Sequence, residues 1–90
     1  MRASANVDIV NERGLHARAS AKFVKLATSF DAEISVTRED QSVDARSIMG
    51  LMMLAAGPGA TIEISASGTQ ADAAVAALVE LVANRFEEDR

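Results

Sequence analysis

The chain has one histidine. It lies in the run Asn11-Glu12-Arg13-Gly14-Leu15-His16-Ala17-Arg18-Ala19-Ser20, after an alternating segment that ends near Val10 and before a helical pattern that begins at residue 17. His16 therefore falls at or near the N-cap of a helix. Backbone N–H groups without intrahelical partners point outward there, and the helix dipole favours an anion. Imidazole is nucleophilic at neutral pH without a strong base, because its ordinary pKa lies near 6.5. A phosphoimidazole is labile enough to pass its phosphoryl group on. Arg18, two residues further, can reach the same spot with a planar fork of donors suited to phosphate oxygens. Gly14 permits a tight loop at the junction. A lone loop histidine is ordinarily a solvated side chain; the helix start, the glycine and the arginine together argue for a surface phosphoryl site. Cysteine is absent and the carboxylates lack ligand spacing, so no metal site is expected.

The surrounding pattern supplies the elements that must position this site. Ala3, Ala5, Val7 and Ile9 alternate with Arg2, Ser4, Asn6 and Asp8, which is a half-buried strand. The same period returns in Ala32–Thr37, in Ser42–Ala45 beyond the turn Arg38-Glu39-Asp40, and in Thr61–Ser67. Each strand has one polar face, the mark of an antiparallel sheet with one solvated side. Ala19, Phe23, Leu26 and Phe30 make a buried stripe on a helix over 17–28. A short helix over Ser47–Leu54 precedes the breaker Gly57-Pro58-Gly59. A last helix is expected to start at Thr69, with the N-cap signature Thr-x-x-Asp, and to carry Val75, Leu78, Val79, Val82 and Phe86 on one face. The order β-α-β-β-α-β-α predicts an α+β fold: an open-faced two-layer sandwich with a four-stranded antiparallel sheet covered on one face by three helices. The 90 residues read as one domain, 1–90.

Composition narrows the function classes. Thirteen acidic against nine basic residues give a formal charge of −4, and tryptophan and tyrosine are absent. Such a chain is poorly suited to nucleic acid, which counts against a small RNA- or ligand-binding α+β domain. The N-terminus has no apolar run behind Arg2, and the stretch around Ile48–Ala56 is half a membrane span. A soluble, cytoplasmic, monomeric protein is expected, and a domain this small works at its surface on a partner.

The segment Gly14-Leu15-His16-Ala17-Arg18-Ala19-Ser20 resembles the active-site signature Gly-Leu/Ile-His-x-Arg-Pro-Ala of the HPr family, the histidine phosphocarriers of the phosphoenolpyruvate-dependent phosphotransferase system. A second block, Ser47-Ile48-Met49-Gly50-Leu51-Met52, resembles the family's regulatory-serine segment, and the two blocks stand in register across nearly the whole chain. The resemblance implies that His16 takes a phosphoryl group on Nδ1 from an enzyme I-type protein and donates it to an enzyme IIA-type protein, in sugar uptake or in the nitrogen-type regulatory branch. Phosphoenolpyruvate is then the ultimate donor, and no bound cofactor is needed. Arg18 neutralises phosphate charge, and the backbone N–H groups of Ala17 and Arg18 hold the phosphate. The family's proline is Ala19 here, which implies a slightly looser helix start.

Arg18, Lys22 and Lys25 share one helix face and, with Arg13 and Arg46, are expected to form a basic rim that steers acidic partner surfaces. Ile48, Met49, Leu51, Met52, Met53 and Leu54 cover almost every side of the short helix. Leu51 and Leu54 fit the core; by the resemblance, Ile48, Met49 and Met52, together with Ser20, Lys22 and Lys25, are the docking residues. Ser47 is expected to N-cap that helix. The resemblance adds regulatory phosphorylation by an HPr kinase/phosphorylase, which would place about two negative charges beside the docking patch. The competing class is an interaction module of the same fold without phosphoryl transfer, for which neither His16 nor Arg18 is needed.

Overall fold

A computed structural model describes all residues, Met1–Arg90. The elements follow in the order β1 (Arg2–Asp8), α1 (Ala17–Ala27), β2 (Glu33–Arg38), β3 (Gln41–Asp44), α2 (Ile48–Met53), β4 (Thr61–Ser67) and α3 (Ala71–Ala83), with a closing 3₁₀ turn at Arg85–Glu87. The strands form one antiparallel sheet in the order β1-β4-β2-β3. The period-2 alternation of the sequence becomes the two faces of this sheet. Ile34, Val36, Ile62, Ile64 and Ala66 are buried, whereas Ser4, Asn6, Glu33 and Glu63 are exposed. This is the expected open-faced sandwich.

The helices close the apolar face. α3 lies on β1 and β4 with Ala71, Ala74, Val75, Leu78 and Val82 buried, and α1 packs between α2 and α3. Phe23 of α1 and Phe86 of the 3₁₀ turn are the largest side chains with no exposed surface. Burying each is worth about 2–3 kcal/mol. Leu51 and Leu54 are buried as expected.

Several details differ from the sequence reading, among them the second strand, which is shifted by one residue, and the stripe of α1, where Leu26 and Phe30 are half-buried and Phe30 lies beyond the helix end. The third strand starts one residue earlier, and Ala45 leaves it to bury its methyl group while its N–H donates to Ile34 O. Thr69 does not cap α3; Gln70 holds the N-cap position, and the Thr69 hydroxyl donates to the Asp31 carboxylate at 2.5 Å. Gln70 Oε1 in turn accepts the Asp31 N–H at 2.6 Å. The side chains of Thr69 and Gln70 thus tie the start of α3 to the turn before β2. Finally, Phe86 reaches the core from the 3₁₀ turn, after α3 has ended at Ala83.

Candidate functional site

His16 is the N-cap of α1, with extended backbone (φ −74°, ψ 178°) and no side-chain capping bond. Its carbonyl accepts the first intrahelical bond from Ser20 N–H at 2.9 Å. The N–H groups of Ala17, Arg18 and Ala19 come before that bond and have no helical partner. No acidic residue lies in the first turn to offset the positive end of the dipole.

The loop before His16 is held by close backbone approach. Leu15 N–H donates to Ala56 O at 3.0 Å. Gly14 has φ +64°, and a Cβ there would sit 2.4 Å from Ala56 O. Only glycine satisfies both conditions. Ala19, which stands where the family has proline, is fully buried.

His16 does not stand alone. Its Nε2 is bonded to the Glu88 carboxylate oxygen Oε2, and each of the two side chains is only 16% exposed. Asn11, fully buried, donates through Nδ2 to Gly14 O at 2.9 Å and to Glu88 Oε1 at 3.0 Å. Both partners are acceptors, which fixes the orientation of the amide. Asn11 Oδ1 has no hydrogen-bond partner. Burial alone would push the Glu88 carboxyl up. The hydrogen bonds from Asn11 and His16, with the charges on His16 and Arg13, outweigh it and hold the group below the ordinary carboxylate range.

Glu88 is delivered by an unusual turn. Arg85, Phe86 and Glu87 all have positive φ, at 57°, 53° and 65°. Non-glycine residues in that region cost on the order of 1–3 kcal/mol each. Phe86 anchors the turn in the core, and Lys22 Nζ donates to Phe86 O at 2.9 Å. The acidic end Glu87-Glu88-Asp89 reads from sequence as a solvated tail, and Glu87 and Asp89 are exposed; Glu88 instead folds back onto the start of α1.

The other candidate residues divide. Arg18 is exposed, takes part in no ion pair, and lines a cleft with Glu12, Arg13, Glu87, Glu88, Asp89 and Arg90. The rim is thus of mixed charge, because the C-terminal acids interleave with the arginines. Lys22 faces Glu87 at 3.8 Å and serves the C-terminal turn. Lys25 is exposed near the end of α1. Arg46 is spent on Asp44, at 3.0 Å, beside Glu33 and Ser35 of the sheet, and does not line the cleft. Ser20 cannot dock a partner: it is fully buried, with its hydroxyl donating to Leu15 O.

On α2, Ile48, Met49 and Met52 are exposed by 40, 72 and 42%, and Met53, which was not among the expected docking residues, by 70%. Ser47 caps this helix, its Oγ accepting Gly50 N–H at 2.9 Å. Asn11 and Glu88 had no role in the sequence reading. No local pattern marks either, since the contact that gives them one spans 77 residues.

Chemically, the arrangement offers an imidazole with one nitrogen engaged by a carboxylate, a helix start with free N–H donors, and an unpaired guanidinium. The three together suit a transferable phosphoryl group. No helix is long and apolar enough to cross a membrane, and no cluster of three or more histidine, cysteine or acidic residues could hold a metal ion.

Comparison with known proteins places the chain. Residues 3–84 match the family described as the PTS HPr component phosphorylation site. The chain is 50% identical over 80 residues to the phosphocarrier protein HPr of Cupriavidus necator, covering 89% of this chain and 90% of that one. It is 45% identical over 82 residues to the phosphocarrier protein NPr of Shewanella violacea, covering 91% and 90%. Among solved structures, it superimposes on HPr from Thermoanaerobacter tengcongensis with a TM-score of 0.93 and 38% identity, over 98% of this chain and 99% of that one. With the sheet order, the helix-start histidine and these matches in agreement, the chain belongs to the HPr family of phosphocarrier proteins.

Proposed function

We propose that His16 is the residue that carries the phosphoryl group, accepting it from an enzyme I-type protein charged by phosphoenolpyruvate and donating it to an enzyme IIA-type protein. The observation that carries this reading is the open start of α1, where His16 caps by backbone alone and leaves the first-turn N–H groups unpaired. In the forward step the Nδ1 lone pair attacks phosphorus. The N–P bond forms as the bond to the donor's leaving atom breaks, and that atom takes the electron pair. Ala17 and Arg18 N–H groups bind the phosphate oxygens, and the Arg18 guanidinium neutralises developing charge, so that catalysis is positioning and electrostatics.

The partners dock on the exposed face of α2 through Ile48, Met49 and Met52, with Met53 extending the patch; Arg18 and Lys25, exposed on α1, supply charge. Methionine adapts to differently shaped partners. Ser47 adds a regulatory position. Phosphate there would lie at a helix start, which the fold tolerates, and its charge would oppose docking of an acidic surface. The protein acts as a cytoplasmic monomer and binds no cofactor of its own.

The test is incubation with phosphoenolpyruvate, magnesium and a cognate enzyme I, read by intact mass, for wild type and His16→Ala. One acid-labile phosphate on the wild type, absent from the variant, is the expected result. No phosphate on the wild type with a competent enzyme I overturns the carrier reading and leaves an interaction module of this fold.

A further inference from the structure

We propose that Glu88 is the positioning residue of the phosphoryl site: its carboxylate keeps the ring proton of His16 on Nε2, so that Nδ1 is the nucleophile in uptake and the leaving atom in donation. The inference rests on the carrier reading and deepens it. A neutral imidazole has one N–H and one lone pair, and the partner of one nitrogen decides which is which. A carboxylate accepts but cannot donate. With Glu88 Oε2 on Nε2, the neutral ring must be protonated at Nε2, and the lone pair is left on Nδ1. An acidic residue plays the same part toward the histidine of a hydrolase triad.

The proton need not move in either step. On uptake, Nδ1 gains phosphorus, Nε2 keeps its hydrogen, and the ring becomes a cation that the Glu88 carboxylate neutralises. On donation, the N–P bond breaks, its electron pair returns to Nδ1, and the ring leaves as neutral imidazole rather than as an anion. The other charged groups facing this pair are Arg13 and Glu12 from the loop, Arg18 from α1, and Glu87, Asp89 and Arg90 from the C-terminal segment. None of these bonds His16.

Asn11 makes the proposal sharply testable. Its amide donates to Glu88 Oε1, so whatever group replaces the carboxylate must present an oxygen on that side. In Glu88→Gln the amide oxygen stays on Asn11 and the NH₂ turns to His16 Nε2. A donor there forces the ring proton onto Nδ1 and removes the nucleophile. The isosteric variant should therefore be worse than simple truncation. A merely structural role for Glu88 predicts the reverse order, with glutamine the better tolerated.

The experiment measures ring ¹⁵N signals of His16 at about pH 8.5, above the ordinary histidine range, and phosphoryl uptake from enzyme I, for full-length wild type, Glu88→Ala and Glu88→Gln. Wild type should show a single Nε2–H tautomer. Glu88→Ala should lose about tenfold in kcat with KM unchanged, and Glu88→Gln about 10²-fold or more, with its proton on Nδ1. A wild-type ring protonated at Nδ1, or Glu88→Gln transferring faster than Glu88→Ala, overturns the proposal. Because the tautomer is read on unphosphorylated protein, failure of this inference is distinct from failure of the carrier reading, in which wild type takes no phosphate at all.

Discussion

α1 and α2 begin in the same way and spend the beginning differently. Their N-caps, His16 and Ser47, both have extended backbone. Every helix start exposes N–H groups that no carbonyl of its own helix can meet. Ser47 turns its hydroxyl back onto Gly50 N–H, so α2 satisfies one of those donors within itself. His16 turns its ring away, toward Glu88, and α1 keeps its donors available to a group from outside the chain. The lesson is that Ser47 spends its side chain on its own helix, whereas His16 gives α1 only its carbonyl and sends its ring to Glu88. What a position is for can be read from where its side chain goes.

The largest effect expected from this contrast falls on Arg18. It is exposed and unpaired at the second position of α1, so it contributes little to the fold. Arg18→Ala should leave unfolding free energy within about 0.5 kcal/mol of wild type, as for an ordinary surface substitution. Phosphoryl uptake from enzyme I should fall about 10²–10³-fold, the usual loss when one donor to a developing anion is removed. If uptake is unchanged while stability drops, the start of α1 is structural like that of α2, and the contrast fails.

Ser47→Ala should show the opposite profile with a smaller size. Losing a serine N-cap costs about 1 kcal/mol, seen in chemical denaturation, while phosphoryl uptake by His16 stays at the wild-type rate. A large loss of uptake without loss of stability would show that Ser47 serves the transfer directly and that the two helix starts share one role.

The same contrast explains what the sequence made legible. The sheet, its solvent face and the helix order follow from periodicity, because Ile34, Val36, Ile62 and Ile64 must all face the same way for a strand to bury one side. The position of His16 follows from local signals, a glycine before it and a helical stripe after it. Ser47 as a cap follows from the same short-range chemistry. What stayed hidden depends on tertiary contact. Glu88 looks like a solvated acid because nothing within several residues shows that three consecutive left-handed residues fold it back. Phe86 fits the spacing of α3, although α3 stops three residues earlier. Ser20 lies close to His16 in sequence, yet the turn of α1 carries it into the core. Thr69 has a capping pattern, but Asp31 of a distant turn competes for its hydroxyl. For Glu88, Phe86 and Thr69 a long-range contact overrode a local preference, whereas Ser20 is buried by the winding of its own helix.

The smallest effect expected is on acid stability, and it isolates the contact that only α1 possesses. The folded-state pKa of Glu88 is depressed, so the unfolded chain binds its proton more readily than the folded chain does. The stabilisation it gives is fully present above the ordinary carboxylate range and fades as pH falls through that range to the depressed value. Asp44 behaves in the same direction, because hydrogen bonds from Arg46 hold its carboxyl low; it lies on the surface and contributes little. Asp44 is present in wild type and in Glu88→Ala alike, so the difference between the two proteins cancels it. Denaturation curves from about pH 6 down to about pH 3, spanning the ordinary carboxylate range, should show wild type more stable at the upper end and the two converging at the lower. A difference that stays constant with pH would mean that the charge on Glu88 adds nothing. The C-terminal turn would then be held to the start of α1 by Phe86, by Lys22 and by the hydrogen bond from Asn11, with no ionic contact distinguishing the start of α1 from that of α2.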